Sequence, residues 1–261
     1  KAYRSGIRAF DTAFSYNEAD SILFSSMKEL KIDRSEYQIW SKVMPVPTME
    51  RKAEASLRRL GTSYFDILML HWPTNDTLLF SSLKALEDLK DRGCTKEIGV
   101  SNFPLPLLEK VLCDFPISYH ERPLSLIWMK NWNEEKRLGI KSIAYSPGGF
   151  GLLSGKYSAS NPPLDQRKEI KAFSSPYFPL LISLLDEIAI KHNSSPYAVS
   201  YSFVKGEKPW AIVRGAGKEE DLSLSLPVLN TKEREDLLEL SLLVSKSDSS
   251  DNIFSHNWLL R

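Results

Sequence analysis

Five apolar runs in this chain break off at polar residues. "GIRAF" runs into Asp11, "YQIWS" into Lys42 and "FDILML" into His71, while "EIGV" is followed by Ser101 and Asn102 and "SIA" by Tyr145 and Ser146. Taken singly, such residues are helix caps, turn residues or hydrogen-bonded core groups. Five in succession describe one rim. The lysine is the most telling of them, because a buried ammonium is costly without a partner. Asp11, at the end of the neighbouring run, is that partner. Tyr16 stands five residues beyond it. A phenol with a reference pKa of about 10 exchanges protons poorly near neutrality. An ammonium beside Tyr16 favours the phenolate and is expected to lower that value. Asp11 would keep Lys42 charged and aimed, and His71 would orient a substrate oxygen by hydrogen bonding. The alternative for His71 is a satisfied core histidine. Together these groups suit protonation of a carbonyl oxygen while hydride reaches the carbon, the hydride coming from a cofactor. A second chemistry, Lys42 as a Schiff-base nucleophile, is opposed by Asp11, which holds the amine protonated.

The elements that position these residues alternate between short apolar runs and helical periods. Ala19, Ile22, Leu23, Met27 and Leu30 define one expected helical face. Thr48 is the expected N-cap of the next helix, with Glu50 in its first turn and Gly61 as its stop. Leu79, Leu83, Leu86 and Leu89 line a third helix that ends at Gly93. Further helices are expected over "LPLLEKVL", the segment after Leu126, "LLISLLDEIAIKH", "PYAVSYSFVKG" and "TKEREDLLELSLLV", and further strands over "ISYHE" and "WAIVR". Seven strands alternating with helices predict parallel pairing with helices outside. The expected fold is therefore α/β, a (β/α)8 TIM-type barrel over residues 1–261 as a single domain, lacking its first strand region of roughly 30 residues. All strand C-terminal ends of such a barrel lie on one face, where the chemistry sits. The polar loop "SASNPPLDQRKEIKAFSSP" shows no core pattern and reads as a lid, a binding element or a disordered stretch.

Composition narrows the class. The 261 residues are 42% hydrophobic and 26% charged, ordinary for a soluble globular protein. A net charge of +1 gives no footprint for nucleic acid. No apolar run is long enough to cross a bilayer, and the opening residues lack a secretory core. Cys94 and Cys113 form neither a disulfide framework nor a metal spacing, which points to reduced thiols and a cytoplasmic setting. Four histidines without a close pair argue against a metal site. The expected partner is a small-molecule carbonyl compound, with no nucleic acid and no membrane; an exposed barrel edge would offer self-association.

The segments "GIRAFDTAFSY", "WSK", "SLRRLGTSYFDILMLHWP", "KEIGVSNF" and "IAYSPGGFGLLSGKY" resemble the aldo-keto reductase family over essentially the whole chain. The resemblance implies a (β/α)8 barrel that uses NADPH, with NADH as the other candidate. It places a catalytic tetrad on Asp11, Tyr16, Lys42 and His71, with Tyr16 as general acid. It assigns Ser101 and Asn102 to the nicotinamide carboxamide and puts Tyr119, or His120 with a register slip, where the family usually has glutamine. Tyr145 would stack on the nicotinamide ring, with Ser146 beside it among the cofactor-binding residues. Gly215 and Lys218 would meet phosphate at a helix N-terminus, and Trp72 would wall the substrate pocket. Gly217, Asp221 and Ser225 replace polar residues common in the family, and Phe24 replaces a glycine. The implied activity is reduction of an aldehyde or ketone to an alcohol, with hydride from nicotinamide and a proton from Tyr16. The alternative is a non-catalytic or weakly active cofactor-binding or interaction protein of the same build.

Overall fold

A computed structural model of the chain describes residues 1–246 apart from Asn17, Ala159, Gly217 and Lys218. The tail "SSDNIFSHNWLLR" lies outside the described residues. Two compact units divide the chain, Lys1–Glu121 and Arg122–Arg261.

In the first unit, strands β1 (Ala9–Asp11), β2 (Gln38–Val43), β3 (Phe65–Leu70), β4 (Thr95–Ser101) and the start of β5 (Tyr119–Pro123) pair in parallel in chain order. Every residue of β3 is buried, which is why its sequence is apolar and does not alternate, apart from Asp66, whose carboxylate is bonded to Arg34 and Lys96. The register sets Asp11 against Trp40, Lys42 against Met69 and Ser101 against Glu121, so the polar strand ends arrive near one level. Four helices connect these strands: α1 (Ala19–Glu29), α2 (Met49–Arg59), α3 (Asp76–Asp91) and α4 (Leu105–Asp114). Helix α3 forms as its sequence dictates. The Asn75 side chain accepts a hydrogen bond from the Leu78 N–H, Leu79, Leu83, Leu86 and Leu89 are fully buried, and Gly93 takes the left-handed conformation just past the end.

Helix α1 departs from its expected face. Ile22 is 60% exposed, while Asp20 and Met27 are the buried residues. The reason is Asp20, whose carboxylate accepts from Thr12 Oγ1 at 2.9 Å, Ser56 Oγ at 2.6 Å and Arg59 Nη2 at 2.6 Å. Those bonds hold a charged residue inward and turn the isoleucine out. Thr48 stands at the N-cap of α2, but its side chain makes no capping bond. Gly61 ends that helix at φ 60°, and a Cβ there would stand 2.3 Å from the Phe24 ring. The Phe24 ring thus sits in space that only glycine leaves open.

The second unit contains α5 (Trp132–Lys136), β6 (Lys141–Tyr145), α6 (Phe178–Lys191), α7 (Pro196–Gly206), β7 (Ala211–Val213) and α8 (Thr231–Lys246), with β6 and β7 paired in parallel. The helix expected after Leu126 is confined to α5, because Ser125 and Trp128 first close a turn and Asn131 is left-handed. The long polar loop is not coreless: two short 3-10 turns flank Ile170, and Ile170 and Ala172 are each 2% exposed. Four-residue turns are too short to register as a hydrophobic period. A buried ion pair joins Arg122 Nη1 to Glu135 Oε2 at 2.7 Å, and Ser142 Oγ donates to Glu135 Oε1 at 2.6 Å.

Candidate active site

Asp11, the last residue of β1, and Lys42, near the end of β2, form the expected pair. Lys42 Nζ lies 2.5 Å from Asp11 Oδ2. The ammonium also donates to the Thr12 carbonyl oxygen at 3.2 Å and meets Glu121 Oε1 at 3.2 Å. The lysine side chain is 1% exposed. Burial pulls its pKa down, but Asp11 and Glu121, with a smaller contribution from Tyr16, outweigh that and hold it above the ordinary lysine value.

Tyr16 sits in the turn that follows β1, its N–H donating to the Ala13 carbonyl at 2.9 Å. Lys42 Nζ is 5.5 Å from the centroid of its ring. Expected to fall, the Tyr16 pKa instead rises. Desolvation is the largest cause, the Lys42 charge opposes it, and Asp11 and Glu121 push upward again. The lysine does not act as an isolated cation, because two carboxyl groups share it.

His71 is the first residue beyond β3, held by its N–H to the Val43 carbonyl at 2.9 Å. It is half-buried, and its ring meets Tyr16 edge-on with centroids 5.6 Å apart. Burial, then the Lys42 charge, draws its pKa down to about 3. The imidazole is therefore neutral at ordinary pH and has one N–H to donate. Trp72 stacks beside it at 6.3 Å and 28°.

At the end of β4, Asn102 adopts φ 64°, a conformation Asn tolerates better than most residues. Its Nδ2 donates to the His71 carbonyl at 3.0 Å and to Ser101 Oγ at 2.9 Å, and its N–H donates to the Glu121 carbonyl at 2.9 Å. Along β5 successive side chains alternate faces. Glu121 reaches Lys42, so Tyr119 shares its face and His120 takes the other. There His120 Nε2 accepts the Phe103 N–H at 3.3 Å. Gly99, opposite Tyr119, is required by close approach: a Cβ would stand 2.7 Å from the Tyr119 carbonyl oxygen.

The first unit thus gathers Asp11, Tyr16, Lys42, His71, Trp72, Ser101, Asn102 and Tyr119. In the second unit, Tyr145 ends β6 half-buried with its ring 6.3 Å from that of Phe150. Ser146 is left-handed and accepts the Gly149 N–H at 2.8 Å. Gly215 follows β7 in open space. Lys218 lies outside the described residues. Sequence reasoning missed Glu121. The available signal was a carboxylate closing the run "ISYHE", just as Asp11 follows "GIRAF".

The likeness to solved structures gives the fold. A glycerol dehydrogenase from Gluconobacter oxydans matches with a TM-score of 0.79 at 22% identity, over 95% of this chain and 85% of that one. The holo form of an aldo-keto reductase from Bacillus halodurans matches with a TM-score of 0.75 at 19% identity, over 92% and 84%. The fold class is that of the TIM-type barrels, with seven strands among the described residues. A profile of the Aldo/keto reductase family matches residues 1–239, and the chain belongs to that family. The chloroplastic pyridoxal reductase of Arabidopsis thaliana is 27% identical, covering 97% of this chain and 78% of that protein. Methylglyoxal reductase DkgB of Salmonella typhi is 26% identical, covering 86% and 78%. The family is one of oxidoreductases that use nicotinamide cofactors, generally NADPH.

Proposed function

We propose that this chain reduces an aldehyde or ketone to an alcohol, using NADPH, with Tyr16 as the proton donor. The observation that carries this reading is the buried Lys42–Asp11 pair lying beside Tyr16, with the Tyr16 ring against a neutral His71. The cofactor supplies the hydride when bound. His71, uncharged, donates its N–H to the substrate oxygen and fixes its orientation. Tyr16 keeps its proton at ordinary pH and gives it up to the oxygen as negative charge develops there. Lys42 then stabilises the phenolate that results.

The residues at the end of β4 suit a carboxamide. Ser101 Oγ accepts from Asn102, and its own hydroxyl proton is left to donate to an amide oxygen. Tyr119 would complete that contact, with Tyr145, Ser146, Gly215 and Lys218 as the remaining cofactor-binding residues. Trp72 would wall the substrate pocket. The free thiols of Cys94 and Cys113 suit a reducing, cytoplasmic compartment. The names of the two relatives, a pyridoxal reductase and a methylglyoxal reductase, make pyridoxal and methylglyoxal the first substrates to try.

The test is tryptophan fluorescence quenching by NADPH and by NADH, followed by NADPH consumption with both aldehydes. Saturable binding and turnover are expected. Tyr16→Phe should bind nucleotide as before and lose roughly 10²- to 10⁴-fold in turnover. Binding with no turnover of any carbonyl compound would favour a cofactor-binding protein. No binding by folded protein would overturn the reading.

A further inference from the structure

The charges around Lys42 do not balance if every group takes its usual form. One ammonium lies between the carboxyl groups of Asp11 and Glu121, and two carboxylates with one ammonium would leave a net negative charge in a buried site. Glu121 is 3% exposed. Its Oε1 faces Lys42, while its Oε2 receives a hydrogen bond from no donor among the described residues. The Glu121 and Asp11 carboxyl groups meet the same Nζ, Asp11 Oδ2 at 2.5 Å and Glu121 Oε1 at 3.2 Å. An ionised oxygen so placed has neither water nor a donor, which is expensive. A single proton between the two carboxyl groups removes both the excess charge and the missing bond. Like charges held this close cannot both ionise readily.

We propose that Glu121 is a positioning residue of the reductive site: it shares one proton with Asp11, and in its neutral form it releases a Lys42 N–H toward Tyr16. In the resting site Lys42 faces three oxygens: it donates to Asp11 and the Thr12 carbonyl, and keeps Glu121 Oε1 in ion-pair contact at 3.2 Å. Stabilising the Tyr16 phenolate requires one of the Lys42 N–H groups. The contact to a neutral Glu121 is a weaker hold than the charged contact to Asp11, and is the one given up. No covalent step is involved; the shared proton stays on the carboxyl pair throughout.

The groups that set this equilibrium can be named. Asp11 comes from β1, Lys42 from β2, Tyr16 from the turn after β1 and His71 from the end of β3, while Tyr119 precedes Glu121 on β5. The residues of β4 opposite, Gly99 to Ser101, are not titratable. Arg122, next along β5, is bonded to Glu135. Burial and Asp11 raise the Glu121 pKa, with Lys42 opposing, in keeping with a proton held at neutral pH. The sign follows. When alkali ionises Glu121, the cluster becomes negative, Tyr16 becomes a weaker acid, and Lys42 is held back. Turnover should decline as that happens.

The kinetic half of the proposal rests on the reductase reading; the proton itself does not. The first measurement is infrared difference spectroscopy of the cofactor-free protein labelled with ¹³C-glutamate, titrated from neutral to alkaline pH. A carboxylic C=O band that shifts with the label, and disappears on alkalinisation or in Glu121→Gln, is expected. The second is the pH profile of kcat for methylglyoxal. Glu121→Gln is neutral at every pH, so the alkaline decline of kcat should be displaced upward by about one pH unit or more. Absence of a glutamic-acid band at neutral pH, or an unchanged alkaline decline in a folded Glu121→Gln protein, would overturn the proposal. A purely structural glutamate would lower the melting temperature of that variant and leave the profile where it was. If no carbonyl compound is turned over, the reductase reading fails, and the infrared band still decides where the proton lies.

Discussion

Among the buried charge clusters of the described residues in the first unit, those around Asp20 and Lys42 are built on opposite plans. Around Asp20, one carboxylate meets one guanidinium, and both of its oxygens are supplied: Oδ1 by Thr12, Oδ2 by Ser56 and Arg59. Around Lys42, one ammonium serves two carboxyl groups, and one oxygen of Glu121 is left without a donor. The first arrangement has a single favoured protonation state and nothing to exchange. The second has a proton that can reside on either carboxyl group, a phenol beside it, and a neutral imidazole against the phenol. Charge balance separates a cluster that holds α1 in place from one that suits the proposed proton transfer. Burial alone does not, since Asp20 and Lys42 are each 1% exposed.

Removing the cation should break the comparison most visibly. Lys42→Met leaves two carboxyl groups facing each other and no charge to stabilise the Tyr16 phenolate. Turnover of methylglyoxal should fall by roughly 10³-fold or more, while circular dichroism remains that of a folded barrel. Retention of turnover within about tenfold would place the proton donor elsewhere.

Asp20→Ala tests the other cluster. It orphans Thr12, Ser56 and Arg59, and urea unfolding should show a loss of about 3 kcal/mol. The figure stays modest because the Arg59 side chain is 30% exposed and water can replace part of the bond. The pH profile of kcat should not move. A shift in that profile would mean that the Asp20 cluster communicates with Tyr16, and the contrast between the clusters would fail.

The last test concerns His71, whose effect is read per pH unit. Its folded-state pKa, about 3, lies below the ordinary value of 6.5. The unfolded chain therefore binds the proton first as pH falls. Stability should be complete above about pH 6.5 and decline as pH drops toward 3, by at most about 1.4 kcal/mol per pH unit from this group. Half-burial makes the real slope shallower. His71→Asn should flatten that slope in acid unfolding measurements. An unchanged slope would assign it to other groups.

Much of this was legible before any coordinates. The run Ile67–Leu70 required burial on both faces, and the leucines of α3 fell at helical spacing before a terminating Gly93. Lys42 demanded an anionic partner, and Asp11, one strand away, was the available one. Other features resisted. Ile22 fits an apolar period as well as Met27 does, but Asp20 found three donors and turned the helix around itself. Tyr16 was expected to be acidified because one neighbouring cation was visible, while the desolvation of the phenol, the largest cause, and the second carboxylate were not.

That second carboxylate marks where information local to the chain gives out. Which segments become strands or helices follows from apolar spacing, caps and glycine positions, all of which operate over a few residues. The residue types needed for carbonyl reduction, and membership of the aldo-keto reductase family, are likewise written into short segments. Which charges share a buried space is another matter. Glu121 reaches Lys42 only because β2 through β5 are stacked in register, and its proton depends on the water that this stacking excludes. Desolvation and cross-strand electrostatics belong to the assembled sheet, since they depend on distances between residues far apart in sequence. The chemistry was present in the chain; the protonation states that make it work were decided by the packing.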